Sequence, residues 1–214
     1  MRTAFRSFVV AGLVVALGAL PALAQRDARD KPRVSGPLRR VVRRCEQRPE
    51  EFNGRIVARA ESCVWLYAFR ARAERNDRRD YGAVWLQTEL RTKPNWCATK
   101  ARSGIRIPRR TRSHAGAPRR ARAREPRRYV TRLRVDAQGN AARVGRIKQP
   151  FKLHPRVLRG RMVRTKRTFR ATWEGDTPRT LAFATGVEIS WRRGNPPARL
   201  ATSFVFRMRR GAGC

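Results

Sequence analysis

The chain predicts an all-β fold, an antiparallel β-sandwich or open barrel of about seven or eight strands stapled by two disulfides. Three observations carry the prediction. Apolar and polar residues alternate at period two through several segments, Gly- and Pro-containing turns separate those segments, and all four cysteines lie beyond an N-terminal targeting segment.

That targeting segment is set aside first. Arg2 and Arg6 form a short cationic start, residues 7–20 are an almost unbroken apolar run, and Pro21-Ala22-Leu23-Ala24 supplies a small-x-small cleavage site before Gln25. The pattern is that of a secretory signal peptide over residues 1–24. The run falls short of the roughly 20 residues a spanning helix needs, and no second such stretch follows. The expected product has no transmembrane segment and is secreted or held in the extracytoplasmic cell envelope. There, an even count of cysteines reads as a disulfide framework. Cys45, Cys63, Cys97 and Cys214 lack the closely spaced ligand pairs of zinc sites. Of the three possible connectivities, Cys45 with Cys63 and Cys97 with Cys214 is preferred, because chain neighbours meet most easily. No metal or other cofactor is expected.

Charge dominates the composition. The full chain carries a formal +37, with 46 arginines, 6 lysines and only 15 acidic residues; loss of Arg2 and Arg6 leaves +35. A GC-rich coding bias accounts for Arg in place of Lys. It does not account for the shortage of acids. A field of this sign attracts anionic polymers, with an affinity that falls as salt rises, and the planar guanidinium fork matches phosphate and carboxylate.

Residues 25–37 mix Arg, Asp, Lys, Pro and Gly without apolar periodicity and read as a disordered leader. A single β-rich domain then spans 38–214. Val41-Val42 sits in a short strand, and Ile56, Ala58 and Ala60 alternate with polar positions in the next. That run becomes apolar on both faces, Cys63, Trp65, Tyr67 and Phe69 against Val64, Leu66 and Ala68, as a central strand requires. Residues 71–80 read as a loop, residues 81–90 as a half-buried strand with Trp85 on its polar side, and residues 96–107 as another strand after the Pro94-Asn95 turn. Ten arginines and three prolines between Arg106 and Arg128 predict a long Arg-rich loop with too little apolar bulk to order.

The clearest alternation follows. Leu133 and Val135 alternate with Arg132 and Arg134, and residues 136–140 read as a hairpin turn. A long strand over 163–173 is expected to place Arg164, Lys166 and Arg170 on its polar face, with a turn at Gly175-Asp176-Thr177-Pro178. Two further strands end in Trp191 and Met208.

The chemistry of catalysis is thinly represented. There is no Gly-x-Ser-x-Gly elbow, no phosphate-binding glycine loop and no HExxH. His114 lies in the Arg-rich segment and His154 beside a proline, neither placed as a general base. Trp173 and Trp191 fall on apolar phases and read as core, whereas Trp85 and Trp96 are candidates either for packing or for stacking on sugar rings. Two function classes remain. The favoured one is a noncatalytic, strongly basic β-domain that binds an anionic envelope polymer or an acidic protein surface through Arg132, Arg134, Arg164, Lys166 and Arg170, and nucleic acid only nonspecifically. The alternative is a secreted hydrolase of cell-wall polysaccharide, which needs ordered carboxylates in a cleft beside exposed Trp.

Overall fold

The computed structural model describes residue 29 and residues 31–70, 78–118, 120–122, 131–137, 143–149, 159–164, 168–178, 180–212 and 214. The signal peptide expected over 1–24 lies outside them, as does His154. The described residues are all-β, with three antiparallel sheets. One follows the order β2 (Leu38–Phe52), β3 (Arg55–Phe69), β4 (Arg79–Thr92), β12 (Thr180–Arg192), β6 (Arg112–Ala117). A second follows β13 (Ala201–Arg210), β5 (Trp96–Arg106), β11 (Thr168–Pro178), β10 (Arg159–Arg164), β7 (Arg120–Arg122). The third is small: β1 (Arg33–Ser35), β9 (Gly145–Lys148), β8 (Arg132–Val135).

The inner strands β3, β4 and β12 of the first sheet are buried on both faces over most of their length, and their alternation shows why. Trp65, Tyr67, Trp85 and Ala184 share a core cluster with Leu133, Val135 and Ile147 of the small sheet. The opposite positions, Val64, Leu66, Leu86, Val187 and Trp191, pack with Ile105 and Phe169 of the second sheet. A further cluster joins Leu90 and Phe183 to Trp173, Phe204 and Phe206. Residues 81–90 are therefore fully buried, not half-buried as their alternation suggests. The polar phase of β4 carries Trp85 at 0% exposure, whose Nε1 donates to Gln87 Oε1 at 3.1 Å. This is the packing role for Trp85, not a stacking platform in solvent.

Glycines set the seat of the small sheet. A Cβ on Gly186 of β12 would lie 2.5 Å from Trp85 Cε3 and 3.0 Å from Leu133 Cδ2, and one on Gly145 of β9 would lie 2.4 Å from Leu38 Cδ1. Both side chains must be absent for β8 and β9 to lie directly on the first sheet. The disulfides join Cys45 to Cys63 across the β2–β3 ladder, where they are register partners, and Cys97 of β5 to the C-terminal Cys214.

Several expectations need correction. Thirteen strands occur among the described residues, where the sequence suggests about seven or eight. Short or polar strands escaped because pairing, rather than burial, orders them. Strand β2, read as short from Val41-Val42, is a 15-residue edge strand exposed along most of its length, yet it is held to β3 by a ladder with two register shifts and by a disulfide. The leader 25–37 contains β1, held on β9 by pairing and by partly buried Val34. The Arg-rich loop 106–128 contains β6, paired with β12, and β7, paired with β10. The single strand expected over 163–173 is two, because β10 and β11 pair antiparallel with one another. Strand β11 continues to Pro178 through a register shift between Glu174 and Thr177, so Gly175-Asp176-Thr177-Pro178 is not the turn.

Candidate functional site

The strands of the small sheet share a simple alternation: Arg33-Val34-Ser35 in β1, Arg146-Ile147-Lys148 in β9 and Arg132-Leu133-Arg134-Val135 in β8. Period two sends Val34, Ile147, Leu133 and Val135 into the core cluster beneath. The other set faces out, with Arg33, Arg132, Arg134 and Arg146 exposed and Lys148 partly so.

Register turns this alternation into a lattice. Lys148 of the central strand is flanked by Arg33 and Arg132 and makes one rung with them; Arg146, flanked by Ser35 and Arg134, makes the next. Strand spacing separates neighbours in a rung by about 4.7–4.9 Å, and two residues of rise separate rungs by roughly 6.6–6.8 Å. Five cations thus occupy six adjacent positions. None of the five has a carboxylate partner among the described residues.

Such a face works against folding. Like charges directly opposite one another cost up to about 1 kcal/mol a pair, and Arg33–Lys148, Arg132–Lys148 and Arg134–Arg146 are three such pairs. Solvation alone would be served as well by mixed signs. The apolar underside, resting on Trp85 and Tyr67, holds these cations in fixed positions despite the repulsion.

The sequence candidates distribute unevenly over this geometry. Arg132 and Arg134 form one side of the lattice. Arg170 is exposed on β11, but its rung, Ser203–Gly104–Arg170–Val163, contains no second cation. Arg164 has Phe169 as register partner and Val163 has Arg170, which removes Arg164 from the set that alternates with Arg170. Lys166 lies outside the described residues. Sequence reasoning missed Arg33, Arg146 and Lys148. Their signal was the recurrence of cation-apolar-cation or cation-apolar-polar triplets in three separated segments, legible only once the three are known to pair.

Carboxylates do meet elsewhere. Glu61 of β3 and Glu89 of β4 are register partners lining a groove of about 440 Å³ with Gln47, Arg48, Arg59 and Arg91. Each is engaged by an arginine, Glu61 by Arg29 and the 2%-exposed Glu89 side chain by Arg91 at 2.5 Å. Among the described residues, no aromatic side chain lines the groove. His114 is tied to Ser190 Oγ at 2.8 Å and lies beside the Tyr81 ring, on the opposite side of β12 from β4 in strand order. No helix among the described residues is long and apolar enough to cross a membrane. The two disulfides fit an oxidising, extracytoplasmic setting. Compared with known proteins, the chain matches no family model and no curated relative.

Proposed function

We propose that this protein is a secreted or envelope-associated, noncatalytic β-sandwich that binds anionic polymers through the cation lattice of β1, β9 and β8. The observation that carries the reading is the cross-strand arrangement of Arg33, Lys148, Arg132, Arg146 and Arg134, none with a carboxylate partner among the described residues. A polymer with one anionic group per roughly 5–7 Å engages successive cations of such a grid without rearranging the protein. Arginine strengthens each contact by offering a fork of donors to phosphate or carboxylate. The remaining positive charge steers the polymer towards the molecule but does not register it. Acidic protein surfaces compete less well, since their carboxylates are not spaced on a repeat.

The test compares two charge-matched variants on an immobilised polyanion at near-physiological salt. R132Q/R134Q/R146Q removes three lattice cations, and R109Q/R110Q/R199Q removes three exposed arginines outside regular strands. The lattice variant is expected to lose tenfold or more in affinity and the other less than threefold. Equal losses would reduce the interaction to bulk charge.

A further inference from the structure

A cleft among the described residues lies away from the lattice, at the β2–β3 and β4–β5 hairpins. It has a volume of about 540 Å³ and is lined by Phe52, Ile56, Trp96 and Met208, with Arg55, Lys93 and Arg210 and the amides of Asn53 and Asn95. That size falls within the roughly 300–1,000 Å³ typical of small-ligand sites. Phe52 at 48% exposure and Ile56 at 38% are two of the large apolar side chains this protein leaves in solvent. The Phe52 and Trp96 rings stand 5.1 Å apart and tilted by 58°, as two walls rather than a closed stack. No acidic residue lines the cleft, and Arg55, Lys93 and Arg210 have no carboxylate partner among the described residues.

The walls are fixed by backbone. Lys93 N donates to Val57 O at 2.8 Å, Trp96 N to Lys93 O at 3.2 Å and Gly211 N to Asn95 O at 3.1 Å. The Cys97–Cys214 disulfide ties the residue after Trp96 to the chain's C-terminus. The turn residues Asn53 and Asn95 hold positive φ of 50° and 65°, a conformation asparagine tolerates better than most side chains.

We infer that this cleft binds one acidic sugar unit, a pyranose ring carrying a carboxylate or phosphate. The ring lies against Trp96 and Phe52, its anionic group meets Arg55, Lys93 and Arg210, and the asparagine amides serve its hydroxyls as donors and acceptors. An aromatic wall alone would accept any flat apolar ligand; three cations around it, without a carboxylate partner among the described residues, select an anion. Nucleobases also stack, but the disulfide-permissive compartment favours glycans. The inference rests on the reading of the protein as a receptor for extracytoplasmic anionic polymers. It gives that receptor a second site that reads a single unit of the chain.

Calorimetric titration with tetragalacturonate, glucose 6-phosphate, neutral galactotetraose and the oligonucleotide dT4 tests it. Binding of the uronate or the sugar phosphate is expected, and which of the two is tighter identifies the source of the anion. Neutral galactotetraose should bind at least tenfold more weakly. F52A, at an exposed position where folding is little affected, should weaken the acidic ligand tenfold, and R55Q/K93Q/R210Q should bring it to the neutral ligand's level. W96F should retain affinity within about threefold. Trp65, Trp85, Trp173 and Trp191 are all buried, so a ligand-induced emission shift should be present in the native protein and lost in W96F. R132Q/R134Q/R146Q should bind glucose 6-phosphate, a single unit too short to span the lattice, within about twofold of the native protein, which separates this site from the lattice: loss of polymer binding with an intact cleft would overturn only the lattice reading. Unchanged binding in F52A, no binding of either acidic sugar at millimolar concentration, or tighter binding of dT4 than of both would overturn the inference.

Discussion

Gly186→Ala adds one methyl group at the contact between β12 and the lattice sheet. Its Cβ would lie 2.5 Å from Trp85 Cε3, 2.9 Å from Trp85 Cζ3 and 3.0 Å from Leu133 Cδ2, against about 3.5–4.0 Å for an ordinary carbon contact. Trp85 is at 0% exposure and bonded to Gln87, so it has little room to withdraw. Overpacking of this kind costs about 1–3 kcal/mol. Each kcal/mol lowers Tm by roughly 2–4 °C in a domain of this size, so a fall of about 2–12 °C is expected. The opposing gain, from restricting the unfolded chain, is only about 0.4–1 kcal/mol. Relief through Leu133 displaces β8, and with it Arg132 and Arg134, so polyanion affinity should fall although no charge has changed. Thermal melts by circular dichroism and a binding titration read the two effects. An unchanged or raised Tm would show that the two sheets are not in the close contact that fixes the lattice.

The disulfides should differ in weight. In the loop-closure model a cross-link spanning 117 residues, as in Cys97–Cys214, contributes about 5 kcal/mol against about 3 kcal/mol for the 18-residue span of Cys45–Cys63. C97S/C214S should therefore melt below C45S/C63S, and the reverse order would show that direct cross-strand stapling of the β2 edge matters more than chain entropy. Tyr67 has its hydroxyl pKa pushed up to about 12 by burial, partly opposed by the charges of Arg40 and Arg43. The unfolded chain releases this proton near pH 10, so the stability it contributes is complete below that pH and is lost as pH rises towards 12. Y67F should flatten that part of the alkaline stability curve. Tyr67 ionising near pH 10 in the folded protein, read by tyrosinate absorbance, would contradict its burial.

The fold class was legible because strands such as β3 and β12 declare themselves by what they bury. Trp65 and Tyr67 against Val64 and Leu66 leave few alternatives to a central strand. Strand β2 declares itself poorly, since an exposed edge strand obeys hydrogen bonding and leaves no apolar alternation; Val41-Val42 marked only a short strand there, and the Asn53-Gly54 pair that turns its hairpin at positive φ went unread. Charge density concealed β6 and β7 in the same way. Two of the five lattice cations, Arg132 and Arg134, were readable because Leu133 and Val135 fix their phase. Arg33 was not, because a rung is a property of register, and here register joins segments more than a hundred residues apart; Arg146 and Lys148 lie near in sequence to their partners Arg134 and Arg132, but β9 is only four residues long and carries a single apolar residue, Ile147, to fix its phase. The cleft at Trp96 was foreshadowed by one aromatic residue beside a turn, whereas Phe52, Arg55 and Arg210 reach it only through the hairpins and β13.

The central claim is that a lattice of fixed cations, rather than diffuse positive charge, holds the polymer. The slope of log K against log salt measures it most directly, because each neutralised anionic group adds roughly 0.7–0.9 to its magnitude. Replacing Arg132, Arg134 and Arg146 should lower that magnitude by about 2–3 for a polyphosphate or polyuronate, while replacing Arg109, Arg110 and Arg199 should leave it within about 1 of the native value. Equal reductions in the two variants, or an unchanged slope in the first, would contradict the account.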